Sequence, residues 1–273
     1  MQSITLGQCF KGAWRDAGRA ARAMPALFLV AFVLVFATMA AGSVFLTEQG
    51  ATLSLTQTGM TRGAALSNLL TSLATNLVQS VVIAVLAVQV IRFAMAADSE
   101  AQPMRLWDAG FRRYFLLCVA TLLAYVAAAV GVVLVVIVLR VAGLTGGSSY
   151  AAAATLAVLA ICGMSYVSAR LALLFPHTAS GGLLQWRAAW RDSRSHFWTI
   201  STTAVMVILP VMAVSTVFAV ILELMGTDAS TGALSYGLLI VQSAATLFYA
   251  ATTATCSVWL YRRFAAELVQ TGV

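Results

Sequence analysis

The chain has 273 residues, 61% of them hydrophobic and only 9% charged, with a net charge of +7. A soluble domain carries about 25% charged residues. A chain this poor in charge could not cover its own surface in water, so composition excludes an ordinary soluble enzyme and leaves a membrane protein.

In chain order, the first element is a basic foot, KGAWRDAGRAARAMPAL, in which Trp14 stands beside Arg15, Arg19 and Arg22 at helical spacing. The uncharged run 24–47 follows it, and further uncharged runs occupy 63–91, 114–139, 141–169, 197–222 and 229–261. Each exceeds the roughly 20 residues that cross about 30 Å of hydrocarbon as a helix. Spans are therefore expected at about 25–46, 66–91, 114–139, 150–175, 198–222 and 235–261. The first run ends in ATMAAGS, whose small residues suit a signal peptidase. Its long polar lead and spanning length favour a retained anchor. Unbroken apolar runs also exclude barrel strands, which alternate with period two.

The second span carries Asn68, Ser72, Thr75 and Gln79 on one helical face, with Asn76 and Gln89 adding polarity. A second foot, RLWDAGFRRYF, sets Trp107 before Arg112 and Arg113. The third span is almost wholly aliphatic, whereas the fourth places Thr155, Cys162 and Ser165 near one face. The third foot, QWRAAWRDSRSHFW, repeats the AWRD of the first. There Leu183, Trp186, Trp190 and Phe197 form an apolar stripe, and Arg187, Arg191 and Arg194 lie one residue round the wheel. Such a helix lies at headgroup level with its rings inward and its guanidiniums towards phosphate. Asp16, Asp108 and Asp192 are expected in first turns or paired with neighbours such as Arg19 and Arg112. The fifth span contains Pro210, and the sixth sets Gln242, Thr246, Tyr249, Thr253 and Cys256 on one face.

These elements make an all-α polytopic helix bundle. Six transmembrane helices form three helical hairpins, each preceded by a basic amphipathic interfacial helix, in one integral membrane domain with pseudo-repeats at about 1–97, 98–180 and 181–273. With six spans, fourteen of the sixteen basic residues fall on one side and only Arg62 and Arg140 towards the other. Positively charged segments stay cytoplasmic during insertion, so both termini are expected inside. The same placement explains the basic balance through anionic headgroups, without nucleic acid. Polar loops at 48–62, 144–149 and 226–232 are too short for folded domains.

Polar stripes facing lipid would leave hydrogen-bonding groups unmatched, so spans two, four and six are expected inside and the odd spans around them. This polar interior, with Asn68, Thr75, Asn76, Gln79, Gln242, Thr246, Tyr249 and Thr253 as its candidate members, holds no Asp, Glu, Lys, Arg or His at mid-span. Coupled transporters usually place an ionisable group there. Interhelical packing is therefore the first reading of these residues, and a permease path the second. Cys9, Cys118, Cys162 and Cys256 form no CxxC pair, so neither a metal nor a redox cofactor is expected. The only histidines, His177 and His196, share one loop and lack a carboxylate pair, and no HExxH, GxSxG or Walker motif occurs.

The stretch ARLALLFPHTASGGLLQWRAAWRDSRSHFWTI resembles the bacterial membrane proteins grouped with the membrane domain of glycerophosphoryl diester phosphodiesterase. The resemblance rests on Arg170, Leu171, Leu173, Pro176, Ala189, Trp190, Ser193, Arg194, Phe197 and Trp198, and on the opening TLGQCFKGAWRDAGRAARAMPAL. In some relatives this module is fused to a soluble, metal-binding phosphodiesterase domain, for which a chain ending at Val273 leaves no room. The resemblance therefore implies a stand-alone membrane module and no phosphodiesterase activity. The expected function is a non-catalytic inner-membrane protein that interacts with lipid or organises a partner. Its expected contacts are anionic headgroups, with a protein partner or second copy possible. A small permease component is the alternative, and a lipid-modifying enzyme ranks third.

Overall fold

A computed structural model describes residues 6–54, 62–96, 108–141, 147–194, 196–225, 232–265 and 268. Among these all regular structure is helix: α1 (Leu6–Ala23), α2 (Pro25–Ser54), α3 (Arg62–Met95), α4 (Ala109–Val141), α5 (Gly147–Leu171), α6 (Leu174–Ala179), α7 (Trp186–Arg194), α8 (Phe197–Met225) and α9 (Gly232–Phe264). Six of them, α2 to α5 with α8 and α9, contain windows long and apolar enough to cross a bilayer. The protein is a multi-pass helical membrane protein.

The first basic foot is a separate helix because of Pro25. The Met24 N–H still reaches the Ala20 carbonyl at 2.9 Å, but proline has no N–H to continue the ladder. The break falls at Met24, and Pro25 takes the first position of α2, where its missing donor costs nothing. Pro176 acts similarly. A fourth span running to residue 175 would set the proline ring against the Ala172 carbonyl. Instead α5 stops at Leu171 and the chain turns into α6. The second foot differs from the other two. Trp107 lies outside the described residues, and Arg112 and Arg113 sit on the opening turns of the spanning helix α4 itself. That start is fixed by Asp108, whose Oδ1 accepts the Phe111 N–H at 2.8 Å, a side-chain N-cap.

The chain forms two compact units, Met1–Leu106 with Thr203–Trp259, and Trp107–Thr202 with Leu260–Val273. In the first unit α2 and α3 pair as a hairpin and α1 packs on both. The face α1 buries is made of small residues, Cys9, Ala13, Ala17 and Ala20, which allow close approach to its neighbours. It also docks on α9. The Thr255 hydroxyl donates to the buried Ala13 carbonyl at 2.9 Å, and the Trp259 indole N–H donates to Asp16 Oδ2 at 2.9 Å. Gly12 lies under that indole, so close that an added Cβ would come within 2.5 Å of the ring. Small side chains at this crossing are thus a steric requirement.

In the second unit α4 and α5 pair as a hairpin, α6 packs on α4, and α7 packs on α5. The core gathers Leu117, Leu173, Leu174, Ile200 and Leu268. Tyr114 meets Phe175 edge-on with centroids 5.5 Å apart. Arg113 donates to the carbonyls of Gly181 and Gly182, at 3.0 and 3.2 Å, and so holds the bend between α6 and α7. Gly181 has φ of 98°, a conformation that side chains disfavour.

Among the described residues, two of the three spans expected inside are the most enclosed, and the fourth is not. Spans two and six are the most enclosed, with 44% and 33% of their apolar windows buried. The fourth has only 11% buried, and its Thr155, Cys162 and Ser165 are exposed. The physical reason is that hydroxyls find acceptors inside their own helices. Thr75 donates to the Thr71 carbonyl at 2.7 Å, Thr155 to Ala151 at 2.8 Å and Thr246 to Gln242 at 2.8 Å. A back-bonded hydroxyl can face lipid without an unmatched donor.

Candidate functional site

Among the candidate residues, those of α7 come together as one surface. At 100° per residue the helix circumference is graded into three sectors. Ala188, Ala189 and Ser193 are buried against the protein. Trp186 and Trp190 come next, 46% and 41% exposed, and Arg187, Arg191 and Arg194 are exposed beyond them. Trp186, Arg187, Trp190 and Arg191 line an open hollow of about 340 Å³. Two indoles and two guanidiniums thus converge at successive turns. Such a set offers apolar ring faces to glycerol and upper acyl carbons and forked donors to phosphate.

Contacts through Asp192 and Trp190 hold this short helix in place. Asp192 Oδ2 accepts the Leu268 N–H at 3.1 Å, which ties α7 to the C-terminal segment. Arg170 of α5 reaches the Trp190 carbonyl at 3.5 Å and donates to the Tyr166 hydroxyl at 2.6 Å. The Arg170 guanidinium lies over the rings of Tyr166, Trp190 and Phe197, at 4.9, 5.2 and 5.9 Å from their centroids. It is 7% exposed, and Tyr166 meets Trp190 edge-on at 6.0 Å. Arg170 is therefore a positioning residue that sets Trp190, and it is too buried to meet a headgroup itself. The sequence assigns it no site role beyond its place in the segment ending at Pro176.

Foot one presents a second basic surface by itself. Arg15, Arg19 and Arg22 are exposed on α1, opposite the small residues it buries. Asp16 stays near Arg15 at 3.7 Å and Arg19 at 4.0 Å while accepting from Trp259. Trp14 is half-buried, and its indole N–H is buried with no hydrogen-bond partner. On α4, Arg112 is exposed, whereas Arg113 is engaged by the glycine bend.

Among the described residues the polar candidates of α3 and α9 differ in exposure. Thr75 is half-buried and packs near Gly42 of α2; Gln79 is half-buried and Asn76 exposed. Asn68 lies on α3, with its side chain outside the described set. On α9, Gln242 and Tyr249 are exposed and Thr246 is half-buried, whereas the hydroxyl of Thr253 is buried without a partner. The polar residues that α9 does bury are Ser243, Thr252 and Thr255.

A histidine pair of contrasting environments lies in the second unit. His196 is exposed and stacks on Phe264 with centroids 4.5 Å apart. His177 is 4% exposed, its Nδ1 lies 3.0 Å from the Tyr261 hydroxyl, and its Nε2 is buried against Gly182 with no partner. Burial lowers the His177 pKa from its usual 6.5, because the low-dielectric surroundings disfavour the imidazolium. The unfolded chain therefore binds the proton more readily than the folded one, so this contribution is complete above about pH 6.5 and is lost as pH falls through the depressed folded value. Lowering pH from ~7.5 to ~5.5 should reduce the melting temperature in detergent, and His177→Gln should flatten that slope. An equal slope in wild type and variant would remove His177 as the cause.

Among the described residues no group of three His, Cys, Asp or Glu side chains could hold a metal. Comparison with protein families, with curated proteins and with solved structures finds no match to this chain.

Proposed function

We propose that this protein is a non-catalytic membrane module that binds anionic phospholipid headgroups at its basic face and presents that face to a partner. In this reading the membrane is a bacterial inner membrane, both termini are cytoplasmic, and the module is of the kind that the resemblance to the membrane domain grouped with glycerophosphoryl diester phosphodiesterase implies. The observation that carries it is α7, whose exposed tryptophans and arginines line one hollow while buried Ala189, Ser193 and Arg170 hold the helix still. The described aspartates have structural roles: Asp16, Asp108 and Asp192 each accept a hydrogen bond that fixes a helix.

A surface arginine near anionic lipid contributes about 1 kcal/mol. Changing Arg187, Arg191 and Arg194 together to alanine should therefore lower retention of palmitoyl-oleoyl phosphatidylglycerol by roughly 100-fold at low salt. Retention of palmitoyl-oleoyl phosphatidylcholine should hardly change. Native mass spectrometry of protein released from nanodiscs reads both. Undiminished phosphatidylglycerol retention in the triple variant would refute the headgroup role.

A further inference from the structure

A cleft of about 390 Å³ opens within the first unit, well away in sequence from the α7 face. Pro210, Val214 and Phe218 line it from α8, Ile240 and Phe248 from α9, and Trp14 from α1. Both helical walls belong to spanning windows, Phe197–Ile221 and Tyr236–Phe264. Each wall extends over eight residue steps, or about 12 Å of helix. Its α9 wall ends at Phe248, and the next docking contact along that helix is Thr255 with Ala13, so Trp14 closes the Phe248 end. The cleft is open on its flank, because Val214, Phe218, Ile240 and Phe248 are 56%, 50%, 48% and 54% exposed.

We propose that this cleft holds one acyl chain of a phospholipid, running along α8 and α9, with the Trp14 indole N–H donating to an ester carbonyl at its end. Four features select that occupant. The walls are almost wholly apolar, and they stand in hydrocarbon, where straight chains are the surrounding solvent. The closed end carries a buried donor without a partner, on a helix that lies at headgroup level. The flank is also open, so a chain can enter from the surrounding lipid, and a second copy seated there instead is an outcome of the test. Unlike the α7 face, this site reads the chain and the ester, not the headgroup charge.

The test uses the full chain purified from nanodiscs of equal parts palmitoyl-oleoyl phosphatidylglycerol and phosphatidylcholine, with bound lipid counted by native mass spectrometry. Beyond any phosphatidylglycerol held at α7, wild type should keep one phospholipid of either headgroup after detergent washing, and the triple arginine variant should keep that one as well. Val214→Phe and Ala244→Leu fill the cleft from opposite walls and should lower its occupancy about tenfold or more. Trp14→Phe keeps the ring and removes the N–H, and should weaken retention about fivefold, the ratio one neutral hydrogen bond supplies. Val133→Phe, on the exposed face of α4, should leave retention unchanged. A wild type stripped of lipid, wild-type occupancy in both filled variants, or a dimer mass in place of lipid would each overturn the proposal. Failure of the α7 reading appears separately, as an unchanged headgroup preference in the triple arginine variant.

Discussion

Replacing Arg170 by alanine is expected to destabilise the protein by about 3 kcal/mol, a loss typical of a disrupted buried polar cage. A guanidinium only 7% exposed has given up most of its hydration. Among the described residues no carboxylate stands within ion-pair distance of it. What replaces the water is the Tyr166 hydroxyl at 2.6 Å and three aromatic faces. Each such face contributes roughly 0.5–2 kcal/mol when desolvated. Alanine removes all of these at once, leaves a void, and frees Trp190 from the group that orients it. Thermal unfolding in detergent should show the loss, and a shift equivalent to under ~0.5 kcal/mol would contradict the cage.

Arg170→Met separates filling from caging. Apolar residues often replace buried charged ones with little loss of stability. Methionine should therefore recover much of the melting temperature while the phosphatidylglycerol preference of α7 stays reduced, because Trp190 has lost its setting. Full recovery of both would make Arg170 a space-filler.

The second large effect is expected at the crossing of α1 with α9. Gly12→Val places a branched side chain where even a Cβ would lie 2.5 Å from the Trp259 ring. The indole must move, and its 2.9 Å bond to Asp16 goes with it. Overpacking of this kind costs about 1–3 kcal/mol. The cost should appear as undocking of α1, since the helix is otherwise held there by small residues and the Thr255–Ala13 bond. Trypsin should then cut after Arg15, Arg19 or Arg22 much faster than in wild type, and Thr255→Val should show a milder version of the same. Equal digestion of wild type and Gly12→Val would mean that α1 is not docked through this contact.

These two sites show what could be read from the residues and what could not. The six spans were legible because a long uncharged run in a charge-poor chain has one stable environment. The feet α1 and α7 were legible from arginines and tryptophans at helical spacing. The separate second foot was not found among the described residues, because Asp108 caps α4 directly and carries Arg112 and Arg113 into the spanning helix. The polar face read on the sixth span is split: Gln242 and Tyr249 are exposed and Thr246 is half-buried, whereas Cys256 and the Thr253 hydroxyl are buried. Gln242, Thr246 and Tyr249 share a face, but Ala250, Ala251 and Ala254 with Thr255 let neighbouring helices come close, and proximity decides which face is buried. Periodicity counts polar atoms and is blind to hydroxyls already bonded to their own helix, as in Thr246. Arg170 and the Gly12–Trp259 contact needed three-dimensional neighbours drawn from distant parts of the chain, and no spacing rule supplies those.

The most direct test of the proposed lipid-facing arrangement is the sidedness of the basic residues in the native membrane. In a chain cleared of Cys9, Cys118, Cys162 and Cys256, single cysteines at positions 15, 187 and 262 should react with an impermeant maleimide only after the membrane is opened, whereas cysteines at 62 and 140 should react in intact cells. Labelling of positions 15, 187 and 262 from opposite sides would contradict a shared basic face, and with it the headgroup role assigned to its arginines.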